Sequence, residues 1–256
     1  MLLEKLTWPE VKELDFSRLA VLLPLGSFEQ HGHHLPLTTD TQIVTAIAAA
    51  VEAARRDRLL LLPALWPGHS THHLHFPGTL SIQQTNYIRI VIDLCASMVG
   101  MGGRKLFLLN GHGGNDVPVR AAMREVKTKF SEVAGLHTAF ASYWSLAAQT
   151  IKEVRESGLG GVSHACEMET SIMLHLSPGE VRMDLARRDG PQHASPYRKA
   201  DMQAVKPVYV VNEFHELSAS GAIGRPDLAT AEKGNRFLNG IVRDVTTFVD
   251  DFLTWE

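Results

Sequence analysis

The sequence predicts an α/β fold, a mainly parallel sheet with helices on both faces. Two patterns predict it. Short continuous apolar runs, of the kind a strand buried on both faces needs, alternate with longer stretches of helical spacing. The loops that join these strands to the helices concentrate Gly and His. Sheets of this kind bind ligands beyond the C-terminal ends of their strands, so the same alternation says where function should sit.

The first run, Leu19 to Leu25, reads Leu-Ala-Val-Leu-Leu-Pro-Leu and stops at Gly26. From Thr41 to Arg56, apolar residues at Ile43, Val44, Ile47, Ala48 and Val51 mark a helix, with Asp40 or Thr39 placed to cap it. Leu59 to Leu62 is a second buried strand. After a loop rich in Pro, Gly and His, from Pro63 to Gly78, helical periodicity returns between Ile82 and Val99 and breaks at Gly100, Gly102 and Gly103. Lys105 to Leu109 is the next strand. It runs into Asn110-Gly111-His112-Gly113-Gly114-Asn115, and Val119 to Phe130 is helical, with Pro118 suited to its first turn. Beyond it, His137 to Ser142 reads as a strand, Glu169 to Leu176 as a helix, Pro207 to Val211 as a strand and Thr230 to Leu253 as a long final helix. No repeat or linker interrupts the pattern, so residues 1–256 are expected to form a single domain.

With 256 residues, 45% of them hydrophobic, the chain has enough apolar surface for a substantial core. A net charge of -3 sets up no field that favours nucleic acid or an anionic membrane. The expected partners are therefore a small-molecule substrate and further copies of the chain, with no nucleic acid and no membrane. Cys95 and Cys166 are the two cysteines, too few for a disulfide framework. Met1 to Leu14 carries scattered charges without a signal-peptide pattern, and no apolar run reaches bilayer length, so a cytoplasmic location is expected. The unusual count is 13 His, several in short clusters.

The segment Gly26-Ser-Phe-Glu29-Gln-His31-Gly-His33-His34-Leu-Pro-Leu-Thr-Thr-Asp40 puts carboxylate, imidazole and carboxylate in one loop after a buried strand. Glu29 and His31, two apart in extended chain, face the same side, and Asp40 returns at the helix start. Mixed nitrogen and oxygen ligation suits Zn, Mn or Fe, and the lack of thiolates argues against a structural zinc site. Taken singly, each residue has a plainer reading: Asp40 as a helix cap, Glu29 as a solvated acid, the histidines as surface residues. Their co-location with His112, set between glycines in a second strand-end loop, favours a metal. Asn110 to Asn115 also reads as a phosphate cradle, but neither a P-loop Lys-Ser/Thr nor a dinucleotide fingerprint accompanies it. Gly26-Ser27 lacks a nucleophile elbow.

A third cluster, Ser163-His164-Ala-Cys166-Glu167-Met-Glu169-Thr170-Ser171, opens a helix. Its acids suit a helix N-terminus, and Cys166 among them is read as a packed residue, since neighbouring acids disfavour a thiolate. Glu167 and Glu169 lie about 200° apart around an ideal helix. Glu169 shares the apolar face of Ile172, Met173 and Leu176 and should point inward, where it needs a cation, either a metal or a Lys or Arg partner.

Glu29-Gln-His31-Gly through Asp40, Phe76-Pro-Gly-Thr-Leu80, Asn110-Gly-His112-Gly-Gly-Asn115, His164-Ala-x-Glu-x-Glu-Thr-Ser171 and Gly224-x-Pro-x-x-Ala-Thr-Ala231 together resemble the creatininase family, from about Val21 to Gly234. The resemblance implies a creatininase-like α/β fold, often hexameric, and a dinuclear site of two divalent ions per chain. By resemblance, Glu29, Asp40 and His112 hold one metal, His31 and a bridging Asp40 hold the other, and His164 matches the proton shuttle. Creatininase proper takes a further ligand from a Glu two residues after the motif histidine. Here that position is Gly114, and Glu169 is expected to supply the missing acid. The tryptophan that precedes the shuttle histidine is also missing from Gly160-Gly161-Val162-Ser163, with Trp144 as a possible substitute. The Gly-Gly loop resembles other branches of the family, which include a formamide deformylase, a short-peptide hydrolase and an inosose-derivative hydrolase.

The expected activity is metal-dependent hydrolysis of a non-peptide amide, cyclic or formylated, by activated water. His164 would protonate the leaving nitrogen, Glu167 would orient His164, and His34 and His73 would steady a carboxylate ligand. The rival expectation is a metal-containing binding or assembly subunit without turnover.

Overall fold

The computed structural model describes residues 1–190, 195, 197, 199–205 and 207–256. In chain order, helix α1 (Trp8–Lys12) precedes strand β1 (Ala20–Leu25), helix α2 (Thr39–Ala54) and strand β2 (Leu59–Leu61). Helix α3 (Gln84–Gly100), strand β3 (Lys105–Asn110), helix α4 (Asp116–Lys129) and strand β4 (His137–Ser142) follow. Then come helices α5 (Tyr143–Leu146) and α6 (Ala148–Val154), strand β5 (Val162–His164) and helix α7 (Glu167–Leu176). Helix α8 (Phe214–Leu217), strand β6 (Ile223–Gly224) and helix α9 (Ala231–Phe252) complete the order.

Strands β1 to β4 form one parallel sheet in the order β2-β1-β3-β4, with β1 paired to β3 from Ala20↔Lys105 to Leu25↔Asn110. Alternation along β1 divides the core. Ala20 and Leu22 pack with residues of α2, α7 and α9, whereas Val21, Leu23 and Leu25 pack with residues of α3 and α4. Both faces are thus covered, as the unbroken apolar strands require. The register brings the ends of β1 and β3 side by side, so the loops after Leu25 and Asn110 open at one edge.

The expected strand at Pro207–Val211 is irregular chain, because Val208 to Val211 finds no strand partner and keeps large exposed side chains. The β5-β6 ribbon, antiparallel and two residues long on one side, was too short to show periodicity in the sequence. Neither Asp40 nor Thr39 caps α2. The N-cap is Thr38, which leaves the Asp40 carboxylate in the first turn for other work. Helix α9 lies against α7 at Gly234, where a Cβ would collide with the Ser171 main chain.

Candidate metal centre

Three groups of buried ligand atoms meet beyond the ends of β1 and β3. One ligand atom from each of Glu29, Asp40 and His112 lies within 4.8 Å of the others, and the same holds for His31, Asp40 and Glu169 and for Glu29, His31 and His164. Asp40 belongs to two groups through different oxygens: Oδ1 lies 3.0 Å from His31 Nε2 and Oδ2 lies 3.1 Å from His112 Nδ1. Glu29 Oε2 is also 3.1 Å from His112 Nδ1 and accepts a hydrogen bond from the Ser27 hydroxyl at 3.0 Å.

The main chain decides which ring nitrogen faces the centre. His31 Nδ1 donates to the Glu29 carbonyl at 3.1 Å, so its remaining nitrogen meets Asp40. His112 Nε2 donates to the His69 carbonyl at 3.1 Å, so its Nδ1 meets two carboxylate oxygens. A neutral imidazole held in this way aims a lone pair at an anion. Such an approach needs a positive charge in between, either a proton or a metal ion. Asp40 Oδ2 and Glu29 Oε1 are buried without hydrogen bonds, and among the described residues no Lys or Arg pairs with Glu29, Asp40 or Glu169. Buried acids without such partners suit a divalent cation. The residues fit the metal that their chemistry implies.

The same crowding moves the titrations. Burial opposes charge on His31, yet the Asp40 carboxylate beside it raises its pKa to about 9. Burial likewise opposes charge on Asp40, and His31 and His112 hold its carboxyl well below the usual carboxylate range. Glu169 is pushed up to about 7, chiefly by burial. Burial takes His164 down to about 3, with His31 adding to the effect.

His164 ends β5 at the rim of this cluster. Its Nε2 donates to the Gln30 carbonyl at 2.8 Å, so Nδ1 is turned inward, 3.8 Å from Glu29 Oε1. Ala165, at φ 49, then turns the chain into α7. That left-handed residue lets His164 and Glu169 face one centre from two elements. Within α7, Glu169 accepts from the Cys166 main-chain N–H at 3.4 Å. Glu167 points the other way, accepting from Lys233 Nζ at 2.9 Å and from the main-chain N–H groups of Glu156 and Ser157. The expected orienting role of Glu167 toward His164 is therefore wrong, because Lys233 of α9 claims it. Gln30 does the orienting.

His73 lies 3.3 Å from Glu29 Oε1, as expected of a residue that steadies a ligand, and its Nδ1 accepts from the Gln30 amide at 2.8 Å. His34 instead meets the Thr170 hydroxyl at 2.9 Å and touches no ligand carboxylate. A side chain at Gly114 would collide with the His69 carbonyl and the His112 ring, so this loop has no room for the acid found there in creatininase proper. Trp144 packs edge-on against Tyr143 in the core and supplies no cover. The aromatic over the histidines is Phe214, which no motif flagged. A cavity of about 680 Å³ lies outside it, lined by His72, Gly114, Lys199, Tyr209, Val211 and Phe214 among others.

Comparison with known proteins agrees with this geometry. The family model described as creatinine amidohydrolase matches residues 4–249. The mycofactocin precursor peptide peptidase of Mycobacterium ulcerans (strain Agy99) is 32% identical over 93% of this chain and 83% of its own. The creatinine amidohydrolase of Pseudomonas putida is 28% identical over 94% of this chain and 93% of its own. A solved structure described as "Creatininase Mn" superposes with a TM-score of 0.83 at 25% identity, covering 99% of this chain and 98% of that one. With a buried carboxylate and imidazole cluster at the strand ends and a family match along nearly the whole sequence, the chain belongs to the creatininase family and is a metal-dependent hydrolase of carbon-nitrogen bonds.

Proposed function

We propose that the chain holds two divalent ions, Zn, Mn or Fe, and hydrolyses the amide bond of a small molecule. Glu29, Asp40 and His112 hold one ion, and His31, Asp40 and Glu169 hold the other. The observation that carries this reading is the Asp40 carboxylate, whose two oxygens face imidazoles of two different ligand groups. When bound, the ions lower the pKa of water toward about 7 and draw charge from the carbonyl oxygen. The protein's own residues do the rest. Gln30 keeps the His164 proton on Nε2, which leaves Nδ1 to accept a proton from the attacking water and pass it to the departing nitrogen. Ser27 holds the Glu29 carboxylate by a hydrogen bond to Oε2, and the His73 ring lies 3.3 Å from the other oxygen.

A cyclic amide or a formamide is the first substrate reading, in keeping with the similarity to creatinine amidohydrolase. The 680 Å³ cavity favours a second, a short peptide, since a single small ring fills little of that space. Similarity to the mycofactocin precursor peptide peptidase supports it. A panel of cyclic amides, formamides and short peptides, run with Mn or Zn and analysed for acid and amine products, separates the two. Metal-loaded protein that binds such amides without product would instead support an assembly or binding role. A cytoplasmic homo-oligomer, up to a hexamer, belongs to the same proposal, and light scattering checks the assembly.

A further inference from the structure

None of the candidate ligands Glu29, His31, Asp40, His112 and Glu169, nor His164, lines the 680 Å³ cavity. What stands between is a layer of rings. Phe214 stacks on His73 with centroids 3.8 Å apart, meets His164 edge-on at 4.8 Å and lies 5.5 Å from His72. Its other side lines the cavity. The ring is half-buried and carries no ligand atom.

The element that presents it is built to hold one position. Helix α8 is a single turn, closed by the Glu213 N–H donating to Glu216 at 2.9 Å. Just after it, Asp189 accepts from the Ser218 hydroxyl at 2.7 Å and from the Ser220 N–H and hydroxyl at 2.8 and 2.6 Å. Its contact with the Thr71–His73 turn includes the stacking of Phe214 on His73, and His215 stacks on His75 just beyond that turn at 4.0 Å. Stacked rings of this kind add stabilisation beyond burial itself, which keeps the Phe214 ring against His73. The segment is therefore clasped at its base and seated on histidine rings at its tip.

We propose that Phe214 is a specificity-determining partition: its ring separates the outer cavity from the metal-binding cluster and sets the size of the group that a substrate can carry beside the scissile carbonyl. This rests on the metal-dependent reading above for its catalytic consequence, but not for its structural one. A substrate lies with its remote part in the cavity and its carbonyl threaded past the ring, and a bulkier group at that point collides with Phe214.

Three variants test it in the full chain: Phe214→Ala, Phe214→Leu and Phe214→Trp. The first readout uses metal-free protein, following deuterium exchange at the His164 ring carbon by mass spectrometry. Phe214→Ala should speed that exchange several-fold, with Phe214→Leu intermediate and Phe214→Trp no faster than wild type. The second uses metal-loaded protein, where loss of metal to excess chelator should accelerate in the same order at unchanged metal stoichiometry. The third is the ratio of kcat/KM for bulky over small amides, which should rise in Phe214→Ala and fall in Phe214→Trp. If the Ala and Leu variants keep a native circular-dichroism spectrum yet show wild-type exchange and chelation rates, Phe214 is no partition. If exchange accelerates but wild-type protein binds no metal, the partition stands and the metal reading fails. Exchange and chelation that change without any shift in substrate ratio would remove the specificity role.

Discussion

Asp40, read alone, is where local sequence and site chemistry differ most. Its place at a helix start is typical of a cap, whereas the neighbouring Glu29, His31 and His112 mark it as a ligand, and the structure turns the carboxylate toward two imidazoles. Because it serves both ligand groups, Asp40→Asn should lose most bound metal. Glu169→Gln should reduce the stoichiometry from two ions toward one, and Glu167→Gln should leave it unchanged; elemental analysis of the three variants decides. His164→Gln should keep its metal and lose turnover by about 100- to 10,000-fold, the usual contribution of a proton-transfer group. Loss of an ion in that variant would make His164 a ligand. Protein stripped by chelator should also become less stable as pH rises from about 7 to about 9. His31, with its pKa raised from 6.5 to about 9, contributes stability that is complete below 6.5 and gone above 9. His112 acts in the same direction. Glu169, raised from 4.5 to about 7, folds preferentially in its protonated form, so its own loss falls between those two values and adds little above 7. The neutral buried rings of His34, His72 and His164, with pKa values pushed down to about 4, 4 and 3, have already lost their protons in both states in this range. Thermal melts of stripped protein that stay flat between pH 7 and 9 would contradict the charge balance described for the cluster.

Among the elements, those with a long or strongly apolar pattern were legible to within about two residues: β1, α2, β3, β4 and α9 begin and end where their periodicity does. What escaped were segments held by contacts distant in sequence. Strand β5 exists because it pairs with β6, some sixty residues on, and Met202 donates to the Val162 carbonyl. Helix α8 is positioned by Asp189, and no local spacing announces that. The pairing of Glu167 with Lys233 depends on how α7 and α9 cross, whereas the inward direction of Glu169 followed from the helical stripe alone. The turn at Ala165 carries a testable strain. A residue other than Gly in the left-handed region costs about 1–3 kcal/mol, and a β-branched side chain fits it worse than Ala. Ala165→Val should lower the unfolding free energy by about 1–3 kcal/mol and blunt metal binding by shifting His164 against Glu169, whereas Ala165→Gly should stay within about 1 kcal/mol of wild type. Denaturant melts and metal titration of both variants check this.

In the whole molecule, the candidate ligand residues hang from the ends of β1 and β3 and the first turns of α2 and α7, while about half of the outer cavity's lining comes from a separate stretch between Tyr197 and Leu217. Among the described residues, no candidate ligand falls in that stretch. The part that would set the chemistry and the part that would greet the substrate can therefore change independently under selection. Relatives named for a peptide and for creatinine are the outcome such modularity would produce. Replacing residues 195–217 with the corresponding stretch of either relative should exchange substrate preference while leaving the number of bound ions untouched. A chimera that folds but loses its metal would show the two parts to be one inheritance.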